Sequence, residues 1–360
     1  MGGTPLVSVV LATYNHERFI AKAVESILGQ TLRELELIVV DDGSTDGTGD
    51  AVRRFADPRL TYLRTENSGP SFAFNTGIRR ASGDYVALMS GDDIAEPARL
   101  EVQCAKSAQN RGAVVFSRVR MIDDDGLPIS GHPLDSLFND FRPASPDDLV
   151  HSLFFGPNRL NAPTCLAPRQ AYVDCGLFDE ACIQLQDLDL WVGLACRGYE
   201  FVILEQPLLS YRVRRGSENL SLAPGNLNRV TFETVQVYRR FFDNLPRPDF
   251  ERIFRNELYK RGPLGDGEFE IEKTLLYLKS GAGMIRFIGL ERLYGHMRSP
   301  LRTLLEEQYG ITLSRYFKML LETDFPAGHR PQPLMERLAG RLKRPLERIL
   351  GKGPKISGPR

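Results

Sequence analysis

No run of 18 or more apolar residues occurs in this 360-residue chain, and no charged-then-apolar leader opens it. Neither a membrane span nor a secretory signal is therefore legible. The chain begins Met1-Gly2, but Leu6 stands where a myristoylation signal requires Ser or Thr. Net charge is equally wanting: 46 Lys and Arg balance 46 Asp and Glu, so no global field draws the molecule to nucleic acid. Cysteine is scarce. The five that occur (Cys104, Cys165, Cys175, Cys182 and Cys196) are odd in number, lack C-x-x-C spacing and sit in apolar contexts. Reduced, buried thiols and a cytoplasmic location are the expectation. The amino-terminal half also lacks a Gly-x-Gly-x-x-Gly fingerprint and a Gly-Lys-Ser/Thr phosphate loop. A nucleotide bound there is not gripped as dinucleotides or kinase substrates are.

What is present is a series of apolar runs that stop on polar groups. Leu6 to Ala12 ends at Thr13-Tyr14-Asn15, and Leu35 to Val40 closes on Asp41-Asp42-Gly43-Ser44. Tyr85 to Met89 closes on Ser90-Gly91-Asp92-Asp93. Between them, Phe19, Ile20, Ala23, Val24, Ile27 and Leu28 recur at helical spacing, and a second helix runs through Phe74, Gly77, Ile78 and Ala81. Alternating strands and helices with short connections predict an α/β domain, a mostly parallel sheet with helices on both faces. Ligands bind at the carboxyl ends of strands in such sheets, where Asp42, Asp92 and Asp93 converge. Two adjacent carboxylates repel unless a cation is shared, and a divalent metal with oxygen ligands is the usual answer. The plainer alternative makes Asp92 a cap for the helix starting near Pro97, with Asp93 solvated.

Farther along, Gly112 to Val119 reads as a strand, and Met121 to Ile129 as strand, Asp-Gly turn and strand. Residues 132–160, polar and Pro-rich, read as an irregular mobile loop over an acceptor. Gln186-Asp187-Leu188-Asp189-Leu190-Trp191 then opens a helix. Asp187 and Asp189 point about 200° apart on it and cannot share one task. A strand from Tyr199 to Leu204 leads to a basic loop, Pro207 to Ser217, carrying Arg212, Arg214 and Arg215. That loop is either a phosphate clamp or a solvated surface. From residue 226 the sequence turns into short helices over 228–245, 249–261, 268–280, 284–297, 300–309 and 313–323, without a chemical constellation. Leu334, Leu338, Leu342, Leu346 and Ile349 line one face of a last basic helix. It suits either an anionic membrane surface or packing on the main domain.

The pieces V-S-V-V-L-A-T-Y-N, S-I-L-G-Q-T, E-L-I-V-V-D-D-G-S-T-D-G-T, N-S-G-P-S-F-A-F-N-T-G-I and A-S-G-D-Y-V-A-L-M-S-G-D-D occur in order between Pro5 and about Leu100. Together they resemble the nucleotide-sugar-binding half of the family 2 glycosyltransferases, which have the GT-A fold. The resemblance implies inverting transfer of one sugar from a UDP- or dTDP-linked donor to an acceptor hydroxyl, in synthesis of a cell-surface polysaccharide or glycoconjugate. It places the nucleotide against Thr13, Tyr14, Asn15, Asp42 and Asn67, the ribose on Asp92 and a Mn²⁺ or Mg²⁺ ion on Asp93. The later motifs G-L-F-D-E and Q-D-L-D-L-W are similar to the family's second signature and make Asp187 the general base, with Arg212 and Arg214 as donor contacts. Three positions depart from the pattern: Ser90 for Asp, Gln186 for Glu and Arg214 for His. They leave a degenerate, non-catalytic nucleotide-sugar or glycan binder as an alternative; a nucleotidyltransferase is disfavoured by the missing Gly-rich phosphate loop.

The expected architecture is a GT-A domain over residues 1–222, with its nucleotide-sugar-binding half at 1–100 and its acceptor half at 101–222. A helical extension follows over 223–333, then the basic helix and tail of 334–360. The expected acceptor is a glycan, a lipid-linked molecule or a protein. Peripheral contact with the inner membrane face through 334–360 and a homo-oligomer through the later helices complete the expectations.

Overall fold

The computed structural model describes residues 6–110, 112–215 and 226–323; the expectation for 334–360 lies outside the described residues. The chain divides into two compact units, one ending at Pro263 and the other beginning at Leu264.

The first unit opens with β1 (Val7–Thr13), α1 (Ile20–Leu28), β2 (Leu35–Asp41), α2 (Thr48–Arg53), β3 (Leu60–Arg64), α3 (Pro70–Arg80) and β4 (Tyr85–Ser90). The β-branched run of β1 is buried almost throughout, as a strand covered on both faces must be. Helix α1 buries Ile20, Ala23, Val24 and Ile27, an i, i+3, i+4, i+7 stripe. Strands β3, β2, β1 and β4 lie side by side, all parallel. Thr13 is therefore level with Asp41, and Ala12 with Ser90. The polar ends that the sequence places after each run are brought to one edge by this register.

There follow β5 (Ile94–Ala95), α4 (Arg99–Gln109), β6 (Val114–Ile122), α5 (Pro133–Asn139), α6 (Pro146–Phe155), β7 (Leu166–Pro168), α7 (Arg169–Asp174), α8 (Gln186–Cys196), β8 (Phe201–Arg212), α9 (Leu227–Arg239) and α10 (Arg247–Ile253). They extend the sheet to eight strands in the order β3-β2-β1-β4-β7-β6-β8-β5. Strand β8 is parallel to β6, while β7 and β5 run antiparallel to their neighbours. The result is a GT-A-type mixed α/β sheet with helices.

Four local expectations are corrected. Residues 132–160 are not one irregular loop, because Pro133 and Pro146 begin helices, and the Ser145 hydroxyl accepts the Asp148 amide at 3.1 Å as an N-cap. Proline is tolerated at the first turn, where its missing N–H has no intrahelical partner to lose. The basic segment from Pro207 is strand as far as Arg212. Strand β5 pairs only with Leu209 and Ser210, so Pro207 sits where β8 has no second neighbour to require its N–H. The second strand expected after Met121 reduces to a single bridge, Ile122 to Pro128. The helix expected near Pro97 begins at Arg99, and β5 precedes it.

Helices α9 and α10 belong to the sheet-bearing unit, which runs past residue 222 to Pro263. Aromatic packing explains this. Phe154 of α6 lies 5.0 Å from Phe241, 5.0 Å from Phe242 and 5.6 Å from Phe254, ring centre to ring centre. The change of sequence character at 226 marks the end of the sheet and not of the packed unit.

The second unit contains α11 (Asp266–Lys279), α12 (Gly283–Met297), α13 (Leu301–Tyr309) and α14 (Leu313–Glu322). Ile271, Leu275, Leu293, Met297, Leu305, Tyr309, Ile311 and Tyr316 form its core. Among the described residues no helix is long and apolar enough to cross a membrane.

One contact in the first unit is unusually close. A Cβ placed on Gly77 of α3 would stand 2.2 Å from Cγ1 of the fully buried Val10 on β1. Gly77→Ala should lower stability by about 1–2 kcal/mol despite the gain in helix propensity. A shift of the urea midpoint to lower concentration checks it.

Candidate active site

The carboxylate pair lies where β4 ends. Asp93 is 1% exposed, and its Oδ1 accepts the backbone N–H of Arg212 at 2.9 Å. Its Oδ2 is buried with no hydrogen-bond partner. Burial and the neighbouring Asp92 push the Asp93 pKa well above the ordinary carboxylate range, against the pull of Arg212 and Arg99. Asp92 accepts the Ser90 hydroxyl at 2.5 Å, and its Oδ2 lies 3.8 Å from His16 Nε2. It does not cap α4, whose start has no side-chain cap. Below the pair, the buried Arg99 donates to the Leu88 carbonyl at 3.0 Å. Desolvation lowers the Arg99 pKa to about 10.

The next part of the site is built from the ends of β1 and β2. Thr13 is buried with its hydroxyl 3.2 Å from His16 Nδ1, whereas Tyr14 is 42% exposed. Asn15 takes a left-handed φ of 53°, which lets its N–H donate to Ser44 Oγ at 2.9 Å while its Oδ1 accepts the Thr45 N–H at 2.8 Å. Asp41 is spent locally: Oδ1 accepts the Ser44 amide and Oδ2 the Tyr62 hydroxyl. Asp42 accepts the amides of Ser68 and Gly69, each at 2.8 Å, and burial raises its pKa. The next turn is thereby held against β2, with Asn67 exposed beside it. Gly69 has a φ of 92°, a conformation that a side chain disfavours.

The three arginines fare differently. Arg212 is buried, with Nε donating to the Asp92 carbonyl at 2.7 Å, Nη1 to the Asp123 carbonyl, and its plane 4.7 Å from the Phe19 ring centre. It ties the carboxylate turn to the turn after β6. Arg214 is half-buried over the same ring at 5.6 Å, and its charge acts on His16. Arg215 is exposed and pairs with Asp125 at 2.9 Å. His16 is the residue that sequence reasoning passes over here. It stands alone in sequence and gains meaning only when β1 lies beside β4. Burial lowers its pKa, favouring the neutral ring.

Asp187 occupies the first turn of α8, half-buried. Its Oδ2 accepts the Asn158 amide at 3.0 Å, and Oδ1 accepts the Leu188 N–H at 2.7 Å. Desolvation lifts its pKa to about 6. Asp189 turns elsewhere, to Arg240 at 3.1 Å, which also holds Asp179 at 2.9 Å. Flanking Asp187, Gln184 Nε2 and Gln186 Oε1 are buried without hydrogen-bond partners.

Residues 8–165 match the model of the glycosyl transferase family 2. The glycosyltransferase TuaG of Bacillus subtilis, named for teichuronic acid biosynthesis, is 31% identical over 218 residues, which are 59% of this chain and 81% of TuaG. This chain belongs to the family 2 glycosyltransferases. It spans about half the length of several other curated relatives that it matches. Among solved structures, Staphylococcus aureus TarS 1-349 in complex with UDP-GlcNAc superposes with a TM-score of 0.54 at 17% identity, covering 87% of this chain and 79% of that fragment. The mannosyltransferase PcManGT of Pyrobaculum calidifontis, in complex with GDP-Man and Mn²⁺, gives 0.50 at 20% identity, covering 88% and 86%. These likenesses show the shared fold.

A metal in such a glycosyltransferase meets few protein ligands here. Among the described residues no three His, Cys, Asp or Glu side chains are gathered as a metal cluster. The residues nonetheless fit a hard cation completed by substrate and water oxygens, because Asp93 offers a buried, unpartnered carboxylate oxygen. Asp93→Asn should raise the melting temperature of the ligand-free protein at neutral pH. A folded-state pKa raised above the unfolded value costs stability that builds as pH rises from the unfolded pKa toward the folded one, and the cost is relieved as pH falls again. The gain should shrink on acidification, read from melting curves in a pH series.

Proposed function

We propose that this glycosyltransferase moves a single sugar, with inversion, from a nucleoside diphosphate donor to an acceptor hydroxyl. The observation that carries the reading is Asp187: a carboxylate with its pKa lifted to about 6, standing beside unpartnered amide groups. In the reaction the acceptor oxygen bonds to the anomeric carbon, and the bond from that carbon to the diphosphate oxygen breaks. The acceptor proton passes to Asp187, and the nucleoside diphosphate leaves. Asp187 serves as the carboxylate, so burial that raises its pKa makes it a stronger base at neutral pH.

The donor would lie along the β1, β2 and β4 ends. Thr13, Tyr14, Asn15, Asp42 and Asn67 would frame the base, Asp92 the ribose, and Asp93 would hold Mn²⁺ or Mg²⁺. That ion, when bound, supplies Lewis-acid stabilisation of the diphosphate. Arg214 is better placed than Arg212 to meet phosphate oxygens, because Arg212 spends its donors on backbone carbonyls. Gln184 and Gln186 would offer their free amide groups to sugar or acceptor hydroxyls. UDP or dTDP is the nucleotide carried over from the family pattern, and GDP is the one named with PcManGT. The setting we propose is synthesis of a cell-surface polysaccharide or glycoconjugate, on a glycan, lipid-linked or protein acceptor; the relative TuaG is named for teichuronic acid biosynthesis. Ser90, Gln186 and Arg214 favour a second reading, a non-catalytic nucleotide-sugar binder.

Calorimetric titration with UDP, dTDP and GDP, each with Mn²⁺ and with EDTA, tests the donor site. Metal-dependent binding of one nucleotide supports the reading, and no binding of any sinks it. Asp187→Asn should keep that binding and lose turnover by about 10²–10⁴-fold. The wild-type rate should fall on the acid side with an apparent pKa near 6, where Asp187 takes up its proton. A flat profile through that region would exclude Asp187 as the base, whereas binding without nucleotide release from any sugar donor would favour the second reading.

A further inference from the structure

The base-bearing helix begins without a cap of its own. Leu185, at its N-cap position, offers no side-chain acceptor. The acceptor comes from α9, outside both the family-model match and the region where sequence motifs occur. Glu233 is buried, and its carboxylate takes three consecutive backbone N–H groups: Ile183 at 3.0 Å, Gln184 at 2.7 Å and Leu185 at 2.9 Å. A negative charge gathering orphan amides at a helix start is favourable on both hydrogen-bond and dipole grounds. Two helical turns later Arg240 grips Asp179 and Asp189 of the same segment. From the opposite direction α3 holds it too: Ser71 donates to the Cys182 carbonyl at 2.5 Å, and Asn75 exchanges hydrogen bonds with the backbone of Phe178 at 2.9 Å.

We infer that Glu233 is a positioning residue for Asp187, fixing the backbone from which that carboxylate projects. The inference rests on reading Asp187 as the base. Asn158 donates to Asp187, and the Glu233 charge acts on it as well. Replacing Glu233 therefore alters both the placement of Asp187 and its field. A residue that served stability alone would leave Asp187's titration where it is in the folded protein.

The test compares wild type, Glu233→Gln and Glu233→Asp by hydrogen exchange, by carboxyl-carbon NMR of Asp187 in a pH series, and by turnover of a panel of nucleotide sugars. Glu233→Gln should speed exchange at the amides of Ile183, Gln184 and Leu185 by about tenfold or more. It should lower the Asp187 titration point, and reduce kcat about 10–100-fold with the donor KM unchanged. Glu233→Asp, which keeps the charge and shortens the reach, should fall between the two, and it carries the comparison if Glu233→Gln does not fold. Unchanged exchange and an unchanged Asp187 titration would overturn the inference. A wild-type protein that turns over no donor would remove Asp187 as base, while the exchange and titration results still decide whether Glu233 places it.

Discussion

A buried carboxylate with an unsatisfied oxygen is the constraint around which this site is arranged. Isolated in low dielectric beside a second carboxylate, Asp93 costs the folded chain free energy. What keeps it there is a short set of donors supplied by distant segments. The Arg212 backbone gives one hydrogen bond, and the Arg212 side chain ties the Asp92 carbonyl to the Asp123 carbonyl. Buried Arg99 adds a cation beneath. Strands β4 and β8 are thus joined at their ends around a carboxylate that keeps one buried oxygen without a hydrogen-bond partner. Strain of this kind at a strand end is expected of a binding site and not of a scaffold.

The opposite wall is held by other means. The segment from Phe178 to Asp189 has almost no regular structure before α8 begins, yet its backbone is fixed by α3 on one side and α9 on the other. A link also reaches the turn after β3. Asp42 anchors Ser68 and Gly69, and a Cβ on Gly69 would meet Ile183 at 3.5 Å. The turn after β3 and the segment leading to Asp187 therefore approach each other where the Gly69 backbone lies near the Ile183 side chain. Such support from outside the contacting residues is what precise placement of reacting groups requires.

Much of this was legible in the sequence, and unevenly so. Strands β1, β2 and β4 announce themselves as apolar runs stopping at polar residues, and the parallel register then brings those residues together. The later helices follow from 3.6-residue spacing between Gly and Pro breaks. Proline misled at Pro133, Pro146 and Pro207, because the same residue that ends a helix also starts one, and survives in a strand lacking a second neighbour. His16, Asn158 and Glu233 carried no signal at all. Each is an isolated polar residue whose partner is far away in sequence, 76 positions for His16 and Asp92. Only the folded topology reveals that kind of pairing.

The pairing of β6 with β8 slips at two successive steps: Ser117 faces Leu204, Arg118 faces Pro207 and Val119 faces Leu209. Glu205, Gln206 and Leu208 are the surplus, residues of β8 without a counterpart on β6. Surplus residues bend a strand and re-aim the side chains beyond them. The direction in which Arg212 meets the Asp92 turn is therefore set upstream, in a stretch that contributes no group to the carboxylate pair. A one-residue insertion or deletion at 205–208 would disturb that site without altering any residue in it.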